Sequence, residues 1–193
     1  MKFPMPKKIK DYLTRRRHRR FLSLYDLPER GTVLDISCGE GDFLEVLRSY
    51  FPALELHGVD ISEQYISRAR EKYPWATLHA SDASAVPYGD RTFDAVLSCM
   101  SLHHYKSPTA IFMEISRVLR PGGRVYVLDF VPEHRIIQIL FNLDGCPEPY
   151  HFEKYYLKKE ILSLAACAGL QVEKIRKMGL FSRAKIILAR KIS

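Results

Sequence analysis

Val33-Leu34-Asp35-Ile36-Ser37-Cys38-Gly39-Glu40-Gly41-Asp42-Phe43 is the stretch on which the fold turns, and Gly58-Val59-Asp60-Ile61 answers it downstream. Thr32 to Ile36 is short, β-branched and followed by a glycine loop, the pattern of a strand buried inside a parallel sheet. From Asp42 onward the apolar residues fall at 43, 44, 47, 50 and 51, which is helical spacing. Strand, glycine loop and helix open a doubly wound α/β fold, whose ligands sit beyond the carboxyl ends of the strands. Gly39 and Gly41 let the loop turn sharply and bring its backbone close to a ligand. Asp60 closes the second apolar run, where a carboxylate can accept hydrogen bonds from both hydroxyls of a ribose.

A dinucleotide fingerprint needs a third glycine, G-x-G-x-x-G, and position 44 is Leu. Asp35 and Glu40 place carboxylates in or beside the loop. They repel a pyrophosphate but suit a ligand that carries an ammonium and a sulfonium. The pattern therefore points to S-adenosyl-L-methionine and to methyl transfer. The bland alternative for a lone Gly-x-Gly is an ordinary tight turn between strand and helix.

A chain of 193 residues with 47% hydrophobic and 27% charged residues is expected to form one globular domain with an ample core. No apolar run approaches the roughly 20 residues of a membrane helix. Cys38, Cys99, Cys146 and Cys167 are scattered without C-x-x-C spacing, which argues against a zinc site or a disulfide framework. Reduced thiols, and a basic N-terminus without the apolar stretch of a secretory leader, fit a cytoplasmic protein.

The net charge of +8 is concentrated at one end. Residues 1–20 hold nine basic side chains against Asp11 alone, while the other 21 basic residues are matched by 21 acidic ones. The chain thus divides into a basic N-terminal helical arm, 1–25, and a single neutral domain, 26–193. The arm has three readings. It could lie on anionic lipid, making the protein peripheral to a membrane. It could bind nucleic acid phosphates with strong salt dependence. Or it could be a solvated helix face that packs Ile9, Leu13, Phe21 and Leu24 on the domain.

Periodicity and turn residues predict strands near 32–36, 54–60, 76–80, 93–99, 124–130, 171–176 and 185–190. Helices are expected near 41–51, 62–73 with Ser62 as cap, 108–119 ending at Pro121-Gly122-Gly123, 135–141, and 158–168 closed by Gly169. Asn142 to Pro149 reads as a loop.

With these motifs in order, the chain resembles the class I S-adenosylmethionine-dependent methyltransferases, and among them the small ubiquinone/menaquinone-biosynthesis type. The resemblance covers roughly residues 20–130 well and the rest loosely. It implies a Rossmann-like, doubly wound seven-stranded sheet, mostly parallel with the last strand antiparallel. It further implies that Asp35, Gly39 and Gly41 bind the methionine portion, that Ser37 and Cys38 also belong to the cofactor site, that Asp60 binds ribose, and that Ile61 packs on adenine. Ser81-Asp82-Ala83 matches the acidic turn that reaches the adenine amino group. Ser98 and Cys99, at the end of the fourth strand, match the segment facing the transferred methyl group, and Leu119 to Val125 matches the turn into the fifth strand. The family usually has Gly where this chain has Ser37, so that position must accommodate a Cβ and a hydroxyl.

Methyl transfer from a sulfonium needs chiefly alignment, and a base only where the acceptor must lose a proton. His103 and His104 follow the fourth strand and are the candidate bases, imidazole having the right proton affinity. Alternatively one of them caps the next helix or contacts the cofactor. Tyr105 could line an acceptor pocket. Tyr150, His151 and Tyr155 could form an aromatic lid over a flat acceptor, with Phe152 and Tyr156 read rather as packing. Cys146 has no visible base beside it. The expected function is methyl transfer to a small organic acceptor, with apolar molecules among the candidates. A second reading is an RNA or protein methyltransferase docked through the arm, against which Ser98-Cys99-Met100-Ser101 lacks the Asn-Pro-Pro-aromatic tetrad of enzymes that methylate base amines. A third is a cofactor-binding protein without catalysis. The sequence leaves the acceptor, the atom methylated and the oligomeric state open.

Overall fold

The computed structural model describes residues 22, 27–143, 154–177 and 184–192. They form seven strands: β1 (Gly31–Ile36), β2 (Leu54–Asp60), β3 (Thr77–Ala80), β4 (Phe93–Cys99), β5 (Leu119–Phe130), β6 (Leu170–Lys177) and β7 (Ala184–Lys191). The helices are α1 (Asp42–Tyr50), α2 (Glu63–Lys72), α3 (Pro108–Val118), α4 (Arg135–Leu143) and α5 (Lys158–Cys167), with one 3-10 turn at Leu102–His104. Apart from Leu22, the basic arm lies outside the described residues, as do Tyr150, His151, Phe152, Cys146 and most of the predicted 142–149 loop. Leu22 itself is buried among Leu27, Val33 and the apolar side chains of α1 and β2.

All seven strands join one sheet in the order β3-β2-β1-β4-β5-β7-β6. β1 to β5 run parallel, and β7 lies antiparallel between β5 and β6. The expected doubly wound sheet with an antiparallel last strand is therefore the observed one. β1 illustrates the cause. Val33 joins the apolar layer under α1 and α2, while Leu34 and Ile36 join the layer under α3 and α5. All three are fully buried, so the strand needs apolar residues on both faces.

Capping is local, as the sequence suggests. The Ser62 hydroxyl accepts from the Tyr65 N–H at the start of α2. Gly169 takes φ 69 just after α5. One boundary differs from expectation: α3 stops at Val118, before the Pro-Gly-Gly turn. Leu119 instead pairs with Phe93 and is fully buried, and Arg120 bridges to Asp94 at 2.7 Å. Strand pairing and an ion pair outweigh the last helical turn there. No helix among the described residues is long and apolar enough to cross a membrane.

Candidate active site

The strand order reverses between β1 and β4, so their carboxyl ends splay apart into a crevice, the usual ligand position in such sheets. The chain leaves β1 through Ser37 at φ 62, Gly39 at φ 57 and Gly41 at φ 79, the last forming the cap of α1. Three hydrogen bonds hold this loop. Cys38 N–H donates to the Val59 carbonyl at 2.9 Å, Gly41 N–H to the Cys38 carbonyl at 3.0 Å, and Gly39 N–H to Asp60 Oδ2 at 2.8 Å. Asp60 Oδ1 also accepts from Ser62 N–H at 2.9 Å. Asp60 is thus a clamp on the loop as well as a carboxylate at the sheet edge, a role its position in the sequence does not reveal.

The two glycines are needed for different reasons. A side chain at Gly39 would meet nothing within 4 Å, so open space lies over that backbone. At Gly41 a Cβ would come within 3.0 Å of the Tyr73 ring, so that glycine serves the packing of α2 on α1. Close approach of a ligand therefore applies to Gly39. Glu40 also differs from the sequence reading. It bridges Arg68 at 2.9 Å and Lys72 at 2.6 Å, and these partners hold its carboxyl below its ordinary range. Its charge is answered by α2 and is not offered to a ligand.

Asp35 is the unanswered carboxyl. It is only 2% exposed, and its Oδ1 has no hydrogen-bond partner among the described residues. Burial, and then the neighbouring Asp60, push it up to about 8. Burial, followed by the Asp35 and Asp60 charges, also pushes the Cys38 thiol far above its ordinary range, which removes it as a nucleophile. Along the same edge Ile61 stands 75% exposed beside Asp60, free to cover a flat ring. The Ser81 N–H bonds the Asp60 carbonyl at 2.9 Å, which brings the Ser81-Asp82-Ala83 turn against the end of β2. Asp82 Oδ1 accepts from the Ser84 hydroxyl at 2.6 Å and the Ser84 N–H at 2.7 Å, which lower its proton affinity.

On the β4 side, Ser98, Ser101 and Tyr105 are buried and share one hydroxyl network with Ser37. Tyr105 Oη donates to Ser101 at 3.0 Å and bonds Ser37 at 3.1 Å. The wall of an acceptor pocket was one expectation for Tyr105. Its hydroxyl is instead tied into this network, joining the cofactor loop to the segment after β4. Cys99 and Met100 are half-buried beside it, Met100 at φ 57.

The two histidines separate clearly. His103 is buried, and its Nδ1 lies 2.8 Å from Asp129 Oδ1 and 2.9 Å from Oδ2. Asp129, 1% exposed at the end of β5, also accepts from the His103 N–H at 3.1 Å. Tyr155 stacks on the His103 ring at 5.0 Å with planes 16° apart. His104 is exposed and leans on His103 at 4.0 Å. Tyr156 is buried core, as its packing reading had it. Asp129 was not singled out from the sequence. Its signal was there: Val125 to Asp129 is another apolar run that ends in an acid, like those ending in Asp35 and Asp60.

The residues present fit the cofactor that the loop suggests: an orphan carboxyl for a cation, open space at Gly39, a carboxylate at Asp60 and an exposed apolar side chain at Ile61. Residues 34–127 match the family model described as a methyltransferase domain. Over these 94 of its 193 residues the chain resembles the class I S-adenosylmethionine-dependent methyltransferases. The curated relatives it is similar to include C-methyltransferases named for ubiquinone and menaquinone biosynthesis. It is 34% identical over 122 residues to the ubiquinone/menaquinone biosynthesis C-methyltransferase UbiE of Geobacter sulfurreducens, covering 59% of this chain and 48% of that one. The chain spans between about a quarter and a half of the length of the curated relatives it matches. Its fold matches that of a putative methyltransferase from Bacillus halodurans with a TM-score of 0.79 at 18% identity, over 91% of this chain and 99% of that one. Human N-acetylserotonin methyltransferase, solved with S-adenosylmethionine, matches with a TM-score of 0.75 at 18% identity, over 91% of this chain and 52% of that one.

Proposed function

We propose that this chain transfers the methyl group of S-adenosylmethionine to a small organic acceptor, with His103 removing a proton where the acceptor must lose one. The observation that carries the reading is the buried His103–Asp129 pair at the same sheet edge as the Gly39 loop. When bound, the cofactor supplies a methyl already activated on a sulfonium. The chain's own work is then to align the partners and handle the proton. Asp60 fixes the nucleoside end, the Gly39 backbone lies along the methionine portion, and Asp35 receives the ammonium. A carboxylate only accepts, so Nδ1 of His103 donates to Asp129 and Nε2 is the nitrogen that takes a proton. Asp129 is a positioning residue that sets tautomer and ring plane. Tyr155, stacked beside the ring, gives the acceptor side a flat aromatic surface suited to a planar, partly apolar molecule. Relatives named for ubiquinone and menaquinone biosynthesis favour an acceptor of that class.

The test is transfer of labelled methyl from S-adenosylmethionine to a host lysate. Label in the solvent-extractable or small polar fraction is the expected result. Label confined to acid-precipitable material that ribonuclease or protease releases would overturn it and make the basic arm a docking element. Binding without transfer to any fraction would leave a cofactor-binding protein.

A further inference from the structure

We propose that cofactor uptake by this protein is coupled to proton release: in the cofactor-free protein Asp35 carries a proton, and the cofactor's ammonium replaces it. The inference rests on the cofactor reading above and adds to it an account of the charge state in which the site waits.

Asp35 sits at the end of β1, paired in register with Gly58 of β2 and Leu97 of β4, in the middle of the sheet. Water scarcely reaches it, and among the described residues Oδ1 has no hydrogen-bond partner. A bare carboxylate in such a place is costly, because nothing replaces its lost hydration. The groups that face it make matters worse. They are Asp60 from β2, the Cys38 thiol from the loop and the Tyr105 phenol from the segment after β4. Each is neutral or gains negative charge on ionising. The cations that α2 brings to the loop, Arg68 and Lys72, are committed to Glu40. Among the described residues, Glu40 thus has two cations while no cation faces Asp35.

A neutral Asp35 satisfies this environment until a cationic ligand arrives. An ammonium beside Oδ1 favours the ionised form, and the carboxyl proton leaves to solvent while the ammonium keeps its own. The site then recognises the amino-acid end of the cofactor by exchanging one positive charge for another. A nucleoside without that ammonium has no means of displacing the proton.

Calorimetry on the wild-type chain tests this near pH 6.5, where the ligand's own α-amino group stays protonated. Three ligands are compared in phosphate and in imidazole, buffers of low and high ionisation enthalpy. S-Adenosylmethionine and S-adenosylhomocysteine carry the ammonium; 5′-methylthioadenosine keeps the nucleoside and thioether but lacks it. The expected result is release of about one proton for each of the first two and none for the third. The dissociation constant of S-adenosylhomocysteine should also rise about tenfold per unit as pH falls below 7. Tight binding with no proton release, or equal release by all three ligands, overturns the coupling and leaves the cofactor reading intact. Failure of all three to bind overturns the cofactor reading itself. Asp35→Asn should bind methylthioadenosine within about threefold of wild type and release no proton with any ligand; release from this variant would assign the proton elsewhere. Should Asp35→Asn not fold, the three ligands on wild-type protein decide alone.

Discussion

The two halves of the sheet edge are built by different means. Where β1 and β2 end, the site is mostly backbone: glycine dihedrals, amide donors, and a carboxylate that clamps the loop through Gly39 N–H. Where β4 and β5 end, the site is side chains paired across strands, with His103 on Asp129 and Tyr105 among three serines. Backbone recognition suits a cofactor that stays the same. Side chains at the proposed acceptor end can change without disturbing the loop. The seam between the halves is the Ser37–Tyr105 hydrogen bond, formed by a residue for which the family usually has Gly.

If the halves are separable, damage to one should spare the other. Asp60→Ala should have the largest effect, weakening S-adenosylhomocysteine binding about a hundredfold by calorimetry. It removes the clamp on Gly39 together with the carboxylate proposed to accept from the ribose. Unchanged affinity would sink its assignment. Asp129→Asn should cut label transfer about tenfold to a hundredfold, measured on whichever lysate fraction accepts label, and leave cofactor affinity within about threefold. A matching fall in affinity would break the division into halves.

The seam gives a smaller effect. Ser37 holds φ 62, which costs a Cβ-bearing residue about 1 kcal/mol that glycine avoids. Ser37→Gly and Ser37→Ala both lose the hydroxyl, so Ser37→Gly should be the more stable of the two by about 1 kcal/mol in urea unfolding. Equal stability would mean that the loop rearranges when the seam is cut.

The smallest effect concerns acid, and it belongs to the β2 side. His57 is buried between the Tyr88 and Phe93 rings at 5.4 and 5.2 Å. Its Nε2 lies 3.2 Å from Glu55 Oε1. Burial holds its proton affinity below the ordinary imidazole range, against the opposing pull of Glu55. The group therefore contributes stability above the ordinary value of 6.5, and that contribution is lost as pH falls through the lower folded value. Urea midpoints taken between pH 7.5 and 5 should fall more steeply for wild type than for His57→Phe. Parallel curves would acquit His57.

Sequence carried most of the first half and only part of the second. Asp35, Gly39 and Asp60 are marked by local pattern, because strand, turn and cap are each set by residues next to one another. His103 was visible for the same reason, standing just after a strand. Its partner was not, because Asp129 reaches it only when β5 lays down beside β4, and no spacing encodes that distance. The same holds for Glu40. Its sequence neighbours are a glycine loop, and only the packing of α2 delivers Arg68 and Lys72 to it.

By itself, then, the sequence determined the strand and helix order, the glycine loop and the acids that end the strands, since those depend on short-range periodicity and backbone freedom. Tertiary structure alone decided which acids are answered. Glu40 and Asp129 found partners from distant segments, Asp60 found amides, and Asp35 was left buried beside another carboxyl. Charge and burial act through space, so a residue's protonation and role follow from what the fold brings against it.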